Sequence, residues 1–403
     1  MKLLVTLPWM PFPLSDGGKQ GSFNMLKALQ DKLDIVLIYP VFDECQLKAE
    51  KELFSQLDKV KIYPFLYFKN KGRIRSQYFL FRLHRYITIK ILKEPYLATP
   101  SYQREYLDFV LDIIKKENVD VIQNEYYEQL FLVYALPKGI KRVFIQHEIQ
   151  YMNKMRKISQ LSPCPSDIYT LFNKVKQEEI SAMNQYDMVI TMSDTDKKIL
   201  VQDGVVSPIY SSPSFIPIVK SSKFVPCDKH MVSFVGGSGH VPNLNGVTWF
   251  LEKVWPIVLK SSPSMQFQII GKWDKKSIEH LTHLSENVIF RGFVPDLGEA
   301  LSGTIMVVPI LIGSGIRMKI LESVNYFTPF VATTVGAEGL SFESEKDCII
   351  TDSPQKFAQA ILEIQGSEKL QRFFAENAYT KLVREYSESA LSTKRYDLYK
   401  CLF

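Results

Sequence analysis

Apolar residues in the first half of the chain form short continuous runs that alternate with helical patterns. Runs that are apolar throughout are typical of strands covered on both faces, and their alternation with helices predicts parallel α/β units. The predicted strands are residues 2–7, 34–39, 59–64, 119–123, 142–146 and 188–192, and the predicted helices lie near 21–32, 105–116 and 166–185 and after Ser193.

A second series of the same kind follows a Pro- and Ser-rich stretch at about 202–229, which we interpret as a connection between domains. The sequence therefore predicts an α/β protein with two facing Rossmann-like doubly wound domains, whose ligands bind where the strands end. The predicted strands here are 231–235, 265–270, 287–290, 304–309, 329–333 and 347–351, with helices near 246–259, 274–284, 317–326 and 357–364 and a helical region over 368–402 that breaks at 386–387.

Composition excludes several classes of protein. The 403 residues are 46% hydrophobic and 23% charged, which is ordinary for globular domains and excludes a disordered or collagen-like chain. The formal charge of +6 is small for a nucleic-acid-binding protein, so we expect no nucleic-acid partner. Five cysteines without a CxxC pair predict neither a disulfide framework nor a zinc site, and prolines interrupt the apolar N-terminus, so we expect a cytoplasmic protein.

The segment PILIGSGIRMKILESV, residues 309–324, carries the strongest candidate chemistry. A glycine loop between a strand and a helix presents backbone amides to an anion, and Arg317 and Lys319 stand beside it. Two cations at a helix N-terminus suit a diphosphate, while the Glu322 carboxylate can accept hydrogen bonds from ribose hydroxyls. A glycine-rich turn followed by a solvated amphipathic helix is the structural alternative.

Two further glycine loops follow the first strand of each half. One contains Gly236, Gly237 and Gly239, and the other contains Gly17 and Gly18. Both permit a close approach of the backbone to a ligand, although tight turns or surface loops explain them equally well. Neither has the GxGxxG spacing or a P-loop lysine, which removes the main support for a dehydrogenase or an ATPase.

His147 comes directly after the strand at 142–146, where it could donate a hydrogen bond to a sugar hydroxyl or a developing charge, or be merely structural. Asp194 and Asp196 form an acidic pair that can hold a divalent cation in other proteins. Here they fall in the first turn of a predicted helix, so we interpret them as capping residues and expect no metal.

Eight Lys or Arg and no acid lie between residues 69 and 93, interleaved with aromatic and aliphatic residues. The pattern predicts a basic amphipathic helix. Such a helix could contact an anionic membrane or an anionic or lipid-linked substrate, or else pack on a core with a solvated basic stripe. We therefore expect peripheral contact with the inner face of a membrane as one possibility.

These segments together resemble glycosyltransferase family 4, whose members have the GT-B fold. The matching residues are VSFVGGSGHVPNLNGVTWF, FQIIGK, NVIFRGFVPDL, VVPILIGSGIRMKILESV and PFVATTVGAEGL, which cover most of residues 231–340, with looser matches in DGGKQG, QHE and DMVITMSD. The resemblance implies an acceptor-side domain at 1–205, a nucleotide-sugar donor domain at 206–385 and a helix at 386–403 that crosses back onto the first domain.

The resemblance further implies a retaining hexosyltransferase type that needs neither metal nor cofactor and uses a nucleotide-diphosphate sugar as co-substrate. His147, Arg317 and Lys319 would be catalytic, Glu322 would bind the ribose, and Gly17 and Gly18 would line the acceptor side. Its acceptor would be a saccharide or lipid-linked compound of cell-surface polysaccharide biosynthesis. The remaining donor-binding residues would be Gly236, Gly237, Ser238, Gly292, Phe293, Val294, Gly313, Ser314, Gly315 and Ile316.

Ser314 stands where many family members have a second glutamate, eight residues before the ribose-binding one. The carboxylate that contacts the donor sugar in those relatives is therefore missing. Two other functions remain open on the sequence: a GT-B-like sugar-nucleotide epimerase, and a non-catalytic protein that binds sugar nucleotides.

Overall fold

The structure, a computed structural model, describes residues 1–14, 16–67, 104–158, 168–228, 230–313 and 315–403. It consists of two compact units, Met1–Pro213 together with Ser392–Phe403, and Ser214–Leu391. The predicted basic helix at 69–93 and Ser314 lie outside the described residues.

A seven-stranded parallel sheet forms the centre of the first unit, in the order β3-β2-β1-β4-β5-β6-β7. The strands are β1 Lys2–Thr6, β2 Asp34–Val41, β3 Lys61–Leu66, β4 Val121–Glu125, β5 Lys141–Gln146, β6 Met188–Thr191 and β7 Ile209–Ser211. Helices α1 Gly17–Leu29, α2 Glu44–Gln56, α3 Arg104–Glu117, α4 Tyr127–Leu130, α5 Gln150–Ile158, α6 Ile168–Met183 and α7 Asp194–Gln202 connect them, with a 3-10 turn at Phe131–Tyr134.

Two predictions for this unit were wrong in detail. Helix α1 begins at Gly17 rather than near residue 21, because the Asp16 carboxylate accepts a hydrogen bond from the Lys19 amide and caps the helix there. The stretch at 202–229, expected to be only a connection, contains β7, which pairs in parallel with β6.

The second unit has a six-stranded parallel sheet in the order β10-β9-β8-β11-β12-β13. Its strands are β8 Met231–Val235, β9 Gln266–Ile270, β10 Val288–Gly292, β11 Ile305–Val308, β12 Phe330–Ala332 and β13 Ile349–Ile350. The helices are α8 Val241–Trp249, α9 Trp255–Ser261, α10 Lys275–Leu284, α11 Leu297–Leu301, α12 Met318–Asn325, α13 Thr334–Ala337, α14 Pro354–Gln365, α15 Glu368–Tyr386 and α16 Glu388–Lys400.

The helix expected near residues 246–259 is instead α8, a π-helical turn at Phe250–Val254 and α9. Its start lies five residues earlier than predicted because Pro242 occupies the first turn, where a missing backbone N–H costs nothing. The break predicted at 386–387 is confirmed, since α15 ends at Tyr386 and α16 begins at Glu388.

Strand order determines where a ligand can bind. In each sheet all strands are parallel, but the order in which the chain adds strands reverses at one place. This reversal lies between β1 and β4 in the first unit and between β8 and β11 in the second. In doubly wound sheets the crevice at this reversal, outside the carboxyl ends of the strands, is the usual ligand site. The loops after these four strands are therefore the expected ligand-binding parts of each unit.

The last turns of α16 belong to the first unit. Arg395 is fully buried there and donates from Nε to Ser212 Oγ at 3.2 Å and from Nη2 to the Ser212 carbonyl at 2.9 Å. Lys32 donates to Ser392 Oγ at 3.0 Å. Within the described ranges, no helix is both long and apolar enough to cross a bilayer.

Candidate functional site

The loop after β8 is built around Gly236, whose φ of +147° favours glycine. A Cβ at this position would lie 2.7 Å from Asn243 Nδ2 and 2.8 Å from Lys319 Nζ, so no side chain fits. The Gly236 carbonyl accepts a hydrogen bond from Trp273 Nε1 at 2.7 Å. The glycine thus lets Lys319 and Asn243 reach the backbone of the loop.

The next two residues attach this loop to the one that follows β9. A Cβ on Gly237 would lie 2.7 Å from the Lys272 carbonyl oxygen. The Ser238 amide donates to that same carbonyl at 3.1 Å, and Ser238 Oγ accepts from the Asp274 amide at 3.0 Å. Ser238, which the sequence assigned to ligand binding, therefore also stabilises the loop.

Lys319 lies in the first turn of α12 and directs its ammonium group at this loop. Its Nζ donates to Asn243 Oδ1 at 2.8 Å and lies 4.1 Å from the centroid of the Phe234 ring. Removal from water and the nearby positive charge of Arg317 lower the pKa of Lys319 to about 7, while Glu322 acts in the opposite direction. Lys319 therefore releases its proton more easily than an ordinary lysine, and an anion bound beside it would favour the charged form.

Arg317 is the residue before α12 and is 8% exposed. Its Nη1 donates to the Gly315 carbonyl at 3.1 Å, and its Nη2 would lie 3.0 Å from a Cβ at Gly313. Gly313 and Gly315 have φ values of +121° and +76°. Because these glycines adopt positive φ values, the loop can pass close to the Arg317 guanidinium. Ser314, between them, lies outside the described residues.

The rest of the predicted donor-binding residues occupy the same unit. Ile316 and Val294 pack against its core, and Glu322 is half-buried on α12. At the end of β10, Gly292 has a φ of +67° and its carbonyl accepts from the Gly271 amide at 2.8 Å. Phe293 follows with 86% of its surface exposed, which leaves an aromatic face available to a planar ligand.

Gly17 and Gly18 form the first turn of α1 in the other unit. The Gly18 carbonyl accepts from Tyr126 Oη at 2.9 Å, and a Cβ on Gly18 would lie 3.1 Å from that oxygen. The Asp16 carboxylate already lies at this helix N-terminus and accepts from the Lys19 amide, so its charge disfavours a second anion there.

His147 lies beside this turn, next to a carboxylate that the sequence analysis missed. Its Nε2 is 2.9 Å from Oε2 of Glu125, the last residue of β4, and its ring stacks on Tyr126 with centroids 3.7 Å apart and planes 2° apart. Burial acts to raise the pKa of Glu125, but hydrogen bonds from His147 and Ser22 and electrostatic interactions with His147 and Arg395 together lower it. The Glu125 carboxylate is therefore ionised, and these neighbouring groups stabilise its negative charge.

Of the acidic pair at 194 and 196, Asp196 takes part in the cap that Ser193 forms at the start of α7, whereas the Asp194 carboxylate accepts a hydrogen bond from Ser211 Oγ. Ser193 Oγ accepts from the Asp196 amide at 3.0 Å and donates to Asp196 Oδ2 at 2.7 Å. In the described part of the chain no group of three or more His, Cys, Asp or Glu side chains is placed to hold a metal ion.

Asn243 and Glu125 are the functional candidates absent from the sequence predictions. Asn243 stands in the PNLNG segment beside a glycine loop, and Glu125 ends a strand whose last residues, Gln123, Asn124 and Glu125, are polar. Polar residues at the carboxyl end of an otherwise apolar strand are the signal that could have found Glu125.

Part of the second unit is similar in sequence to a known protein family. Residues 229–366 match the family described as Glycosyl transferases group 1. A Klebsiella pneumoniae protein described as an uncharacterized 44.6 kDa protein in the cps region is 23% identical over 411 residues, covering 96% of this chain and 96% of that protein.

Solved structures of similar fold cover the whole chain. TarM of S. aureus, crystallised with Fondaparinux, alpha-GlcNAc-glycerol and UDP, has 13% identity and a TM-score of 0.70, with 99% of each chain covered. Sucrose-phosphate synthase of Thermosynechococcus elongatus has 14% identity and a TM-score of 0.71, covering 100% of this chain and 99% of that one. Anabaena HepE, crystallised with UDP, has 12% identity and a TM-score of 0.66, with 99% of each chain covered. The predicted fold class is confirmed: the chain has the α/β GT-B fold, and its residues 229–366 match Glycosyl transferases group 1.

Proposed function

We propose that this protein is a glycosyltransferase that moves a sugar from a nucleotide-diphosphate sugar to a hydroxyl acceptor. The observation that carries the proposal is the convergence of Arg317 and Lys319 on glycine loops at the strand-order reversal of the second unit. Lys319 has a lowered pKa and is held by an amide oxygen and an aromatic ring, both uncharged. Two neighbouring cations in such a setting favour a diphosphate over any neutral ligand.

The chemistry follows from where charge develops. As the bond between the anomeric carbon and the phosphate oxygen breaks, the carbon gains positive charge and the diphosphate gains negative charge. Arg317 and Lys319 would stabilise the diphosphate, and preorganised charge of this kind is usually the largest catalytic contribution. We assign the loop at Gly236–Ser238 to the pyrophosphate, Glu322 to the ribose and Phe293 to the nucleobase.

The finer features of this function are also proposals. We propose membership of family 4 and a retaining reaction, which the resemblance of residues 231–340 supports. We also propose that the reaction needs neither metal nor cofactor, because the two cations supply the charge that a metal would supply. A role in polysaccharide biosynthesis is supported by the relative in the cps region of Klebsiella pneumoniae. UDP donors are supported by the TarM and HepE structures, both of which were crystallised with UDP. Peripheral contact with the inner membrane face is supported by the basic segment at 69–93.

The proposal is tested with Arg317→Ala, Lys319→Ala and the control Lys260→Ala, which removes an exposed lysine from the end of α9. A calorimetric panel of UDP, GDP, TDP and ADP first identifies the nucleotide, and turnover of its sugars is then measured with a panel of acceptors. We expect each site variant to lose about 100-fold or more in turnover and the control to lose nothing.

Three results would contradict the proposal in different ways. Near-normal turnover in both site variants would remove the assigned role of the cations. Conversion of the nucleotide sugar to an isomer without any acceptor would indicate an epimerase. Tight nucleotide binding with no turnover on any acceptor would indicate a binding protein.

A further inference from the structure

A continuous chain of buried hydrogen bonds joins the C-terminal helix α16 to His147 within the first unit. Tyr399 Oη donates to Gln123 Oε1, and Gln123 Nε2 donates to Glu125 Oε1 at 2.7 Å. The other carboxylate oxygen of Glu125, Oε2, accepts from Ser22 Oγ at 3.0 Å and lies 2.9 Å from His147 Nε2. The linking side chains of Gln123 and Glu125 are 2% and 3% exposed, so water does not compete for these bonds.

This series of hydrogen bonds determines which nitrogen of His147 carries the proton. An ionised carboxylate can only accept hydrogen bonds, so the Nε2 that faces Glu125 must be the protonated nitrogen. In the neutral ring, Nδ1 is then an acceptor. Among the described residues, the His147 ring has no hydrogen-bond partner other than Glu125, which leaves Nδ1 for a ligand.

The ring orientation is fixed as firmly as the proton. Tyr126 stacks on the ring, and its own hydroxyl donates to the Gly18 carbonyl. Tyr126 has a φ of +67° with a ψ of 155°, a backbone conformation that costs a residue with a side chain about 1–3 kcal/mol. A strained residue that holds one face of a histidine ring is typical of a functional site rather than of ordinary packing.

We propose that Glu125 is a positioning residue that keeps His147 protonated on Nε2, so that Nδ1 accepts a hydrogen bond from a substrate hydroxyl. The role of His147 is then opposite to the donor role expected from the sequence. The identity of the hydroxyl, as one belonging to a sugar substrate, rests on the proposed function. The protonation state of the ring does not.

The substitution Glu125→Gln gives a sharp test because of the neighbouring amide. Tyr399 donates to Gln123 Oε1, which turns the Gln123 amino group toward residue 125. The new glutamine is therefore expected to place its carbonyl toward Gln123 and its amino group toward His147. Nε2 of His147 then becomes an acceptor, and the proton moves to Nδ1.

Nitrogen-15 NMR of histidine-labelled protein at about pH 8.5, where imidazoles are ordinarily neutral, reads the two forms directly. His147→Gln identifies the resonances. We expect Nε2–H in the wild type, a shift toward Nδ1–H in Glu125→Gln, and no change in the matched control Glu117→Gln. Glu117 is a buried carboxylate of the same unit, held by Lys61 Nζ at 3.0 Å and Tyr63 Oη at 2.6 Å, near the amino end of β1.

Nδ1–H in the wild type, or an unchanged form in folded Glu125→Gln, would overturn the proposal. Should the glutamine variant fail to fold, the wild-type spectrum still decides between the two forms. For a working transferase we expect Glu125→Gln to lower turnover by about 10- to 100-fold, the usual cost of an unmade hydrogen bond, with nucleotide binding unchanged. Absence of nucleotide binding in the wild type would instead contradict the proposed function and leave the protonation result standing.

Discussion

Binding of a nucleotide diphosphate is expected to draw a proton from solvent onto Lys319. The free protein holds this proton weakly, because the pKa of Lys319 lies at about 7 instead of the ordinary 10.5. A diphosphate beside the ammonium restores the charged form. With a pKa of about 7 in the free state, uptake is roughly 0.1 proton at pH 6, 0.5 at pH 7 and 0.9 at pH 8.

The sign of the effect on affinity follows from the same linkage. Below the pKa of about 7 the lysine is already charged, so binding is independent of its protonation. Above that value the ligand must recruit a proton, and the affinity falls by up to about tenfold for each further pH unit.

Titration calorimetry at pH 8 in buffers of different ionisation enthalpy measures the uptake as the slope of the observed enthalpy against the buffer enthalpy. Lys319→Gln is expected to remove the slope, and Lys260→Ala is expected to keep it. A zero slope in the wild type, or the same slope in Lys319→Gln, would refute the assignment of the proton to Lys319.

Two further predictions concern stability. Gly236→Ala is expected to lose at least about tenfold in nucleotide affinity and about 1–3 kcal/mol of unfolding free energy, since its Cβ meets Asn243 and Lys319. Gly239→Ala, with nothing within 4 Å, is the matched control, and equal behaviour of the two in calorimetry and urea unfolding would contradict the steric argument. Glu179 is fully buried, and burial raises its pKa to about 7 in spite of hydrogen bonds from Gln146 Nε2 and two backbone amides. Its contribution to the free energy of unfolding is therefore present below about pH 4.5 and is lost as the pH rises through 7. Urea unfolding between pH 5 and 8 should therefore show a smaller decline for Glu179→Gln than for the wild type, and parallel curves would count against a buried, titrating Glu179.

Strands were predicted well because burial on both faces makes them continuously apolar. β8 was predicted with its observed ends, and β5 within one residue. Helix starts were predicted less well, since the side chain that caps a helix is recognised only from its contact. Asp16 caps α1 so that the helix begins at Gly17, four residues before the expected start, and Pro242 opens α8 although the helix was expected only near residue 246.

The site was predicted in part for a similar reason. Arg317 and Lys319 stand next to a glycine loop in the sequence itself, so their association with an anion could be inferred from spacing. Asn243, which bonds Lys319 Nζ, lies 76 residues away along the chain, and Glu125 lies 22 residues from His147. No local pattern connects either pair.

The sequence alone determined the alternating α/β architecture, the glycine loops at strand ends and the positions of the candidate cations, because these depend on local periodicity and on residue type. The tertiary structure alone decided the lowered pKa of Lys319 and the nitrogen of His147 that faces a carboxylate. The physical reason is that protonation depends on removal from water and on charges a few ångströms away, and folding brings those charges from distant parts of the chain.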